Sequence, residues 1–261
     1  MFSLITFNLS KYFLMKKLIN LPLLFTLVVF GLTSVLMPKV SLKEDAKKVD
    51  HLLLDKLLIK NVSSKGVVNY QGFQSNSNFE VYLKLISDAQ PINSNWSKDE
   101  KIAFWINAYN AFTIKLINNN WPVKSIRDIS SPWKTKFFKI GGLEYDLNTI
   151  EHEILRKMGT PEIHFAIVCA SYSCPNLLNA AYSAVSLKEQ LNKQAKAFVN
   201  DPNLNLIEAN SIKISKLFNW FKSDFTSTGD LIKYLNKYSN TSINSNANID
   251  YLEYNWSLNN K

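Results

Sequence analysis

HFAIVCASYSCPNLL, residues 164–178, is the stretch on which the reading of this chain turns. It holds both cysteines of the protein, Cys169 and Cys174, and one of its three histidines. The apolar, β-prone run from Phe165 to Val168 predicts a strand. That strand would deliver its reactive groups into a polar loop, Ser171 to Asn176, interrupted by Pro175.

Cysteine catalysis needs a thiolate, an imidazole to take its proton, and a third group that orients the ring. Cys174, in a loop between small and polar residues, reads as the accessible thiol and first choice of nucleophile. Cys169, closing an apolar run, reads as a small buried hydrophobe. His164 begins the same run, and five extended residues span up to roughly 17 Å. It therefore meets Cys174 only if the loop folds back. His152, with Glu151 beside it, is the competing base, and Glu151 could orient a histidine or simply favour a helix N-terminus. Two plainer readings stand beside these. One is a disulfide between Cys169 and Cys174, whose four intervening residues allow closure if the loop turns. The other makes His152 and His164 satisfied core histidines partnered by Asn107 and Asn110. Cys-x4-Cys with one nearby histidine is a poor zinc pattern, so no metal and no cofactor are expected.

Upstream, Ser97 and Glu100 form a capping-box signature that opens a long helix, KIAFWINAYNAFTIKLINN. Asn107 and Asn110, one turn apart in this apolar helix, need hydrogen-bond partners if buried. With Trp105 they are candidate orienting or substrate-binding residues. FFKIGGLEYDL predicts a β-hairpin turning at Gly141-Gly142. LNTIEHEILRKMG predicts a helix capped by Asn148 or Thr149 and ended by Gly159. A helix is also expected from Ser41 to the Gly66 stop, an extended piece at 67–73, and a second helix from Phe79 to Ala89. Downstream, Leu187 to Val199 reads as an amphipathic helix. A strand at Ile212–Ile214, a short aromatic helix through Phe218 and Phe225, a helix from Asp230 to Tyr238 and a closing strand at Ile249–Leu258 follow.

With 261 residues, 46% apolar and 13% aromatic, the chain can bury a full core. The run from Leu18 to Pro38 carries no charge and follows Lys16 and Lys17, so residues 1–40 read as a signal sequence or membrane anchor. Residues 41–261 are then one domain, expected outside the cytoplasmic membrane. The formal charge of +9 falls to +6 beyond residue 38, with lysines scattered among acids. That argues against a nucleic-acid partner.

GVVNYQGF, AFWINAYNAFTIKLI, LNTIEHEILRK, HFAIVCASYSCPNL, LFNWFKSDF and YLEYNWSLN, in this order, resemble the family called domain of unknown function 547, from about residue 50 to 260. The resemblance implies a relative of papain-like and transglutaminase-like cysteine peptidases. Such a relative is an α+β domain with helices packed on an antiparallel sheet and a thiol, an imidazole and an acidic or amide residue sharing a cleft. The position before Ile163, often basic in bacterial relatives, is Glu162 here. Two functions follow as expectations. The first is an exported cysteine-dependent hydrolase or acyl transferase acting on amide or peptide bonds. The second is a non-catalytic module holding a peptide or envelope component. The oligomeric state is not legible.

Overall fold

The computed structural model describes residues 47–260 apart from Asn93, so the apolar N-terminal run lies outside the described residues. Among those described, no helix is long and apolar enough to cross a membrane.

Four helices open the domain: α1 (Leu52–Asn61), α2 (Tyr70–Gln74), α3 (Ser77–Ser87) and α4 (Lys98–Asn119). Residues 47–51 are not helical, and the expected extended piece at 67–73 is largely helical because Asn69 caps α2, accepting from Gly72 N. The α4 start follows the capping box as written: Ser97 Oγ accepts from Glu100 N at 3.2 Å, and Glu100 Oε2 accepts from Ser97 N at 2.8 Å. From Ile102 to Ile114 every α4 residue is buried. A helix apolar all round belongs in the middle of a core, and α1, α2 and α3 pack around it through Leu54, Phe73, Phe79 and Ile86.

The hairpin forms as expected, β1 (Phe138–Ile140) against β2 (Leu143–Tyr145), with Gly141 and Gly142 both at positive φ in the turn. The segment after it departs from the expected α-helix. Thr149–Leu155 is one π-helical stretch, and Arg156–Met158 continues as a 3-10 turn ended by left-handed Gly159. Its N-terminus is held by neither Asn148 nor Thr149 side chains; Asp146 Oδ1 accepts from Thr149 N at 2.6 Å. Such i+5 turns rotate side chains out of α register and recur at functional sites.

The expected strand Phe165–Val168 is absent. Pro161–Phe165 is a 3-10 helix, and the chain beyond it is irregular. The reason is tertiary. Asn110 on α4 donates from Nδ2 to Ala166 O and accepts at Oδ1 from Val168 N, both at 2.9 Å. These backbone groups are thus satisfied by one amide side chain, and β propensity finds no neighbouring strand to pair with.

The second half of the chain contains α5 (Leu187–Val199), β3 (Leu206–Ile207), β4 (Ser211–Ile214), α6 (Leu217–Trp220), α7 (Lys222–Phe225), α8 (Leu231–Leu235) and β5 (Asn248–Tyr251). The fold is therefore α+β, but its strands form two small sheets rather than one antiparallel sheet. Besides the hairpin there is a three-stranded sheet in which β3 and β4 are antiparallel and β4 and β5 parallel. Phe165, Phe198, Phe218 and Phe225 build a second apolar cluster against this sheet, whereas Ile163 and Ala166 belong to the cluster around α4. Residues 163–166 thus form the seam between the two clusters.

Beyond β5 the expected long strand gives way to an extended strap stitched to several loops. Tyr172 N donates to Ser257 O at 2.7 Å, Ser173 N to Asn255 O at 3.2 Å, and Asn259 N to Ala170 O at 3.1 Å. Leu258 N donates to Lys124 O and Val68 N to Asn259 O, both at 2.9 Å. The strap lies across the loop that carries the cysteines.

Candidate functional site

A cavity of about 380 Å³ opens where this loop, the π-helical stretch and α6 meet. Both cysteines, His164, His152 and Glu151 line it, so the titratable candidates from three separate motifs share one space. Its remaining wall is chiefly aromatic, from Trp133, Trp220, Phe221, Tyr254 and Trp256. Trp133 and Trp220 each pack on Trp256 with ring centres 5.8 Å apart.

Cys169 and Cys174 are joined in a disulfide, with Cα atoms 6.4 Å apart. Ala170, in the left-handed region at φ 59°, turns the chain back, and Cys174 N donates to Ser171 O at 3.0 Å to close the loop. The exposures are the reverse of the sequence expectation. Cys174 is only 5% exposed, packed beneath the strap, while Cys169 is half-buried and faces the cavity. Three donors converge on the Cys174 sulfur: Cys169 N at 3.1 Å, Ser171 Oγ at 3.3 Å and Tyr254 Oη at 3.2 Å. The Cys169 sulfur lies 3.1 Å from Ser171 Oγ and 3.4 Å from Tyr254 Oη. Neither sulfur is hydrogen-bonded to an imidazole among the described residues.

His164 is 2% exposed, stacked on Phe221 with ring centres 4.0 Å apart. Its Nε2 lies 2.8 Å from Oδ2 of Asp224 on α7. Arg156 also grips Asp224, Nε to Oδ2 at 2.6 Å and Nη2 to Oδ1 at 2.8 Å. The Arg156 guanidinium holds the Asp224 carboxyl well below its usual range, and His164 adds to the effect. An ionised carboxylate only accepts, so His164 Nε2 must carry the proton. Burial lowers the His164 pKa, more strongly than Asp224 raises it, so at neutral pH Nδ1 is an unprotonated lone pair. No described residue hydrogen-bonds to Nδ1.

His152 is oriented by the same arginine: Arg156 Nη1 donates to its Nδ1 at 2.7 Å. Burial first, and the guanidinium second, lower its pKa. Glu151 faces inward, accepting from Tyr109 Oη at 3.2 Å, and burial pushes its carboxyl up to about 7. It is thus a proton reservoir at neutral pH rather than the carboxylate that orients a histidine.

The remaining candidates lie elsewhere. Trp105 is 1% exposed in the core, against Phe104 and Tyr145, and does not line the cavity. Asn107 holds the backbone of Tyr182, donating to its O at 2.8 Å and accepting from its N at 2.9 Å. Asn110 clamps the cysteine-bearing segment, as described above. Both amides serve backbone rather than histidines. Glu162 accepts from Tyr234 Oη at 3.1 Å and Tyr238 Oη at 2.7 Å, outside the cavity. Sequence reasoning missed Asp224, Arg156, Tyr254 and Ser171. The one available signal was that all four fall inside quoted motifs, Arg156 in LNTIEHEILRK, Ser171 in HFAIVCASYSCPNL, Asp224 in LFNWFKSDF and Tyr254 in YLEYNWSLN. Among the described residues no cluster of three or more His, Cys, Asp or Glu side chains could hold a metal ion.

Fold and site together define a mixed α+β domain with an aromatic cleft floored by a disulfide and flanked by a His-Asp-Arg constellation. Residues 93–199 match the model of the family described as "Protein of unknown function, DUF547". No curated protein and no solved structure matches the chain, which leaves the likeness to papain-like and transglutaminase-like peptidases without support from a relative.

Proposed function

We propose that the cleft holds an extended peptide or a related envelope component, presented to a domain exported from the cytoplasm. The observation that carries this reading is the cavity itself: about 380 Å³, walled by Trp133, Trp220, Phe221 and Trp256, with Asn148, Glu151 and Lys134 as polar points. That volume suits one large side chain and its flanking amides, and aromatic walls with few polar groups are the usual composition of such sites. Export is supported by the uncharged run at 18–38 behind Lys16 and Lys17, which would serve as signal or membrane tether, and by a disulfide, which persists in oxidising compartments. Titrating the full chain with short peptides bearing Phe, Leu or Lys, followed by tryptophan fluorescence, tests it. Saturable binding that weakens about tenfold in Trp256→Ala is expected, roughly the 1.4 kcal/mol of one lost contact surface. Peptides that leave the fluorescence unchanged, or an unaltered affinity in that variant, overturn it.

The His164–Asp224 pair favours a second reading, a cysteine-dependent hydrolase or acyl transferase of amide bonds that works only when the disulfide is reduced. His164 Nδ1 would be the base, kept in the right tautomer by Asp224. Amide hydrolysis that appears on reduction and is lost in His164→Gln supports it; equal hydrolysis in oxidised and reduced protein rejects it.

A further inference from the structure

We propose that Cys169–Cys174 is an exchangeable disulfide that oxidises a peptide dithiol, with Cys169 as the sulfur attacked and Cys174 as the leaving thiolate. The assignment rests on asymmetry around one bond. Both cysteines line the cavity, but Cys169 is half-buried there, whereas Cys174 is 5% exposed with three hydrogen-bond donors on its sulfur, two from its own loop and Tyr254 from the strap. A disulfide kept only to staple a loop needs none of them. Donors on sulfur stabilise the thiolate far more than the disulfide, because a full negative charge accepts the stronger bond. Ser171, Tyr254 and the Cys169 amide are therefore set for the reduced state.

The step balances within the two partners. A substrate thiolate attacks Cys169 Sγ, forming a substrate–Cys169 mixed disulfide, while the electron pair of the broken bond leaves on Cys174. The second substrate thiol, once deprotonated, attacks the substrate sulfur of that mixed disulfide. This closes the substrate's own disulfide and releases the Cys169 thiolate. Two electrons pass to the protein, and two protons leave the substrate thiols. A disulfide substrate runs the steps in reverse. Better leaving thiolates leave faster, which is what the three donors provide.

The ionisable groups facing this bond are Tyr109, Glu151, His152, His164, Lys134 and Tyr254 from the cleft. Cys174 also borders a second cavity, where Lys65, Tyr172 and Asp201 stand. Glu151, with its carboxyl pushed up to about 7, is the buried proton source among them.

The full chain, reduced by dithiothreitol without denaturant and freed of reductant, is titrated by thiolate absorbance near 240 nm. One thiol ionising well below the ordinary value of about 8.5 is expected. That step should be missing in Cys174→Ser and shifted upward in Tyr254→Phe. In a companion measurement a peptide containing one internal disulfide is added to Cys174→Ser, which should trap it covalently on Cys169, whereas Cys169→Ser should not. Both wild-type thiols ionising at or above about 8.5, or a disulfide that dithiothreitol leaves intact in the folded protein, overturns the proposal. The wild-type titration alone decides if a variant fails to fold. The thiolate titration of the wild type needs no peptide in the aromatic cleft, so that reading and this one fail separately.

Discussion

His164 and Asp224 stand 60 positions apart, and Nε2 of the one lies 2.8 Å from Oδ2 of the other. The same carboxylate takes two hydrogen bonds from Arg156, so one side chain on α7 holds the orientation of an imidazole and a guanidinium on two other segments. Asp224→Asn leaves Arg156 without its counter-charge. For a pair about a quarter exposed the cost is about 2 kcal/mol, below the 3–5 of a fully buried pair. Urea unfolding measures it. In the same variant the pKa of His164, followed by NMR, should fall further, because Asp224 is the group that raises it against burial.

Glu151 sets a pH dependence of opposite sign to that of ordinary surface carboxylates. Its folded pKa of about 7 lies above the ordinary 4.5. Between these values the folded state binds more protons than the unfolded state, so its contribution to stability falls as pH rises from about 4.5 to about 7, then levels off. Glu151→Gln keeps an acceptor for Tyr109 and removes the charge. It should leave stability at pH 5 nearly unchanged and raise it at pH 8 by about 2–3 kcal/mol, read from urea midpoints at the two pH values. Equal effects at both would show that Glu151 is ionised throughout.

Asn110 satisfies two buried backbone groups at once, so Asn110→Ala strips both Ala166 O and Val168 N. The expected loss is about 2–4 kcal/mol, one desolvation penalty per orphaned group. Hydrogen exchange should localise the damage: the Val168 amide gains exchange rate far more than amides of α5.

Removing the disulfide should be cheap by comparison. Its cysteines are five positions apart, and so short a loop gives up only about 2 kcal/mol of chain entropy in the unfolded state. Reduced and oxidised full chain, compared in urea, should differ by this amount while keeping the same far-ultraviolet spectrum. Global unfolding on reduction would show instead that the loop is a keystone.

The parts of the fold legible in the sequence were those decided locally. Ser97 and Glu100 act on backbone groups three residues away, Gly141-Gly142 makes its turn within the hairpin, and Leu187–Val199 shows its face by period alone. The run Phe165–Val168 was misread because its backbone partners sit on α4, more than fifty positions earlier, where no local pattern reveals them. The candidate site divides in the same way. Its cysteines and histidines were visible as residue types in one neighbourhood of the chain. Their relative exposure was not, since Cys174 is covered by a strap some eighty positions later. Asp224, in the polar-looking KSD, shows its importance only once the chain folds Arg156 and His164 onto it.

The strap has a mechanical consequence. Tyr172 and Ser173, on the disulfide loop, are each tied to it by one backbone hydrogen bond, and Tyr254, on the same strap, is one of the three donors to Cys174. Tension applied to the chain beyond Trp256 therefore loads these ties in sequence, as a zipper opens, and lifts the cover from the buried sulfur as it draws Leu258 out of the apolar cluster around α4. The cleft is gripped from one end, and a pull at that end is felt by the disulfide loop and by the edge of the core at Leu258 together.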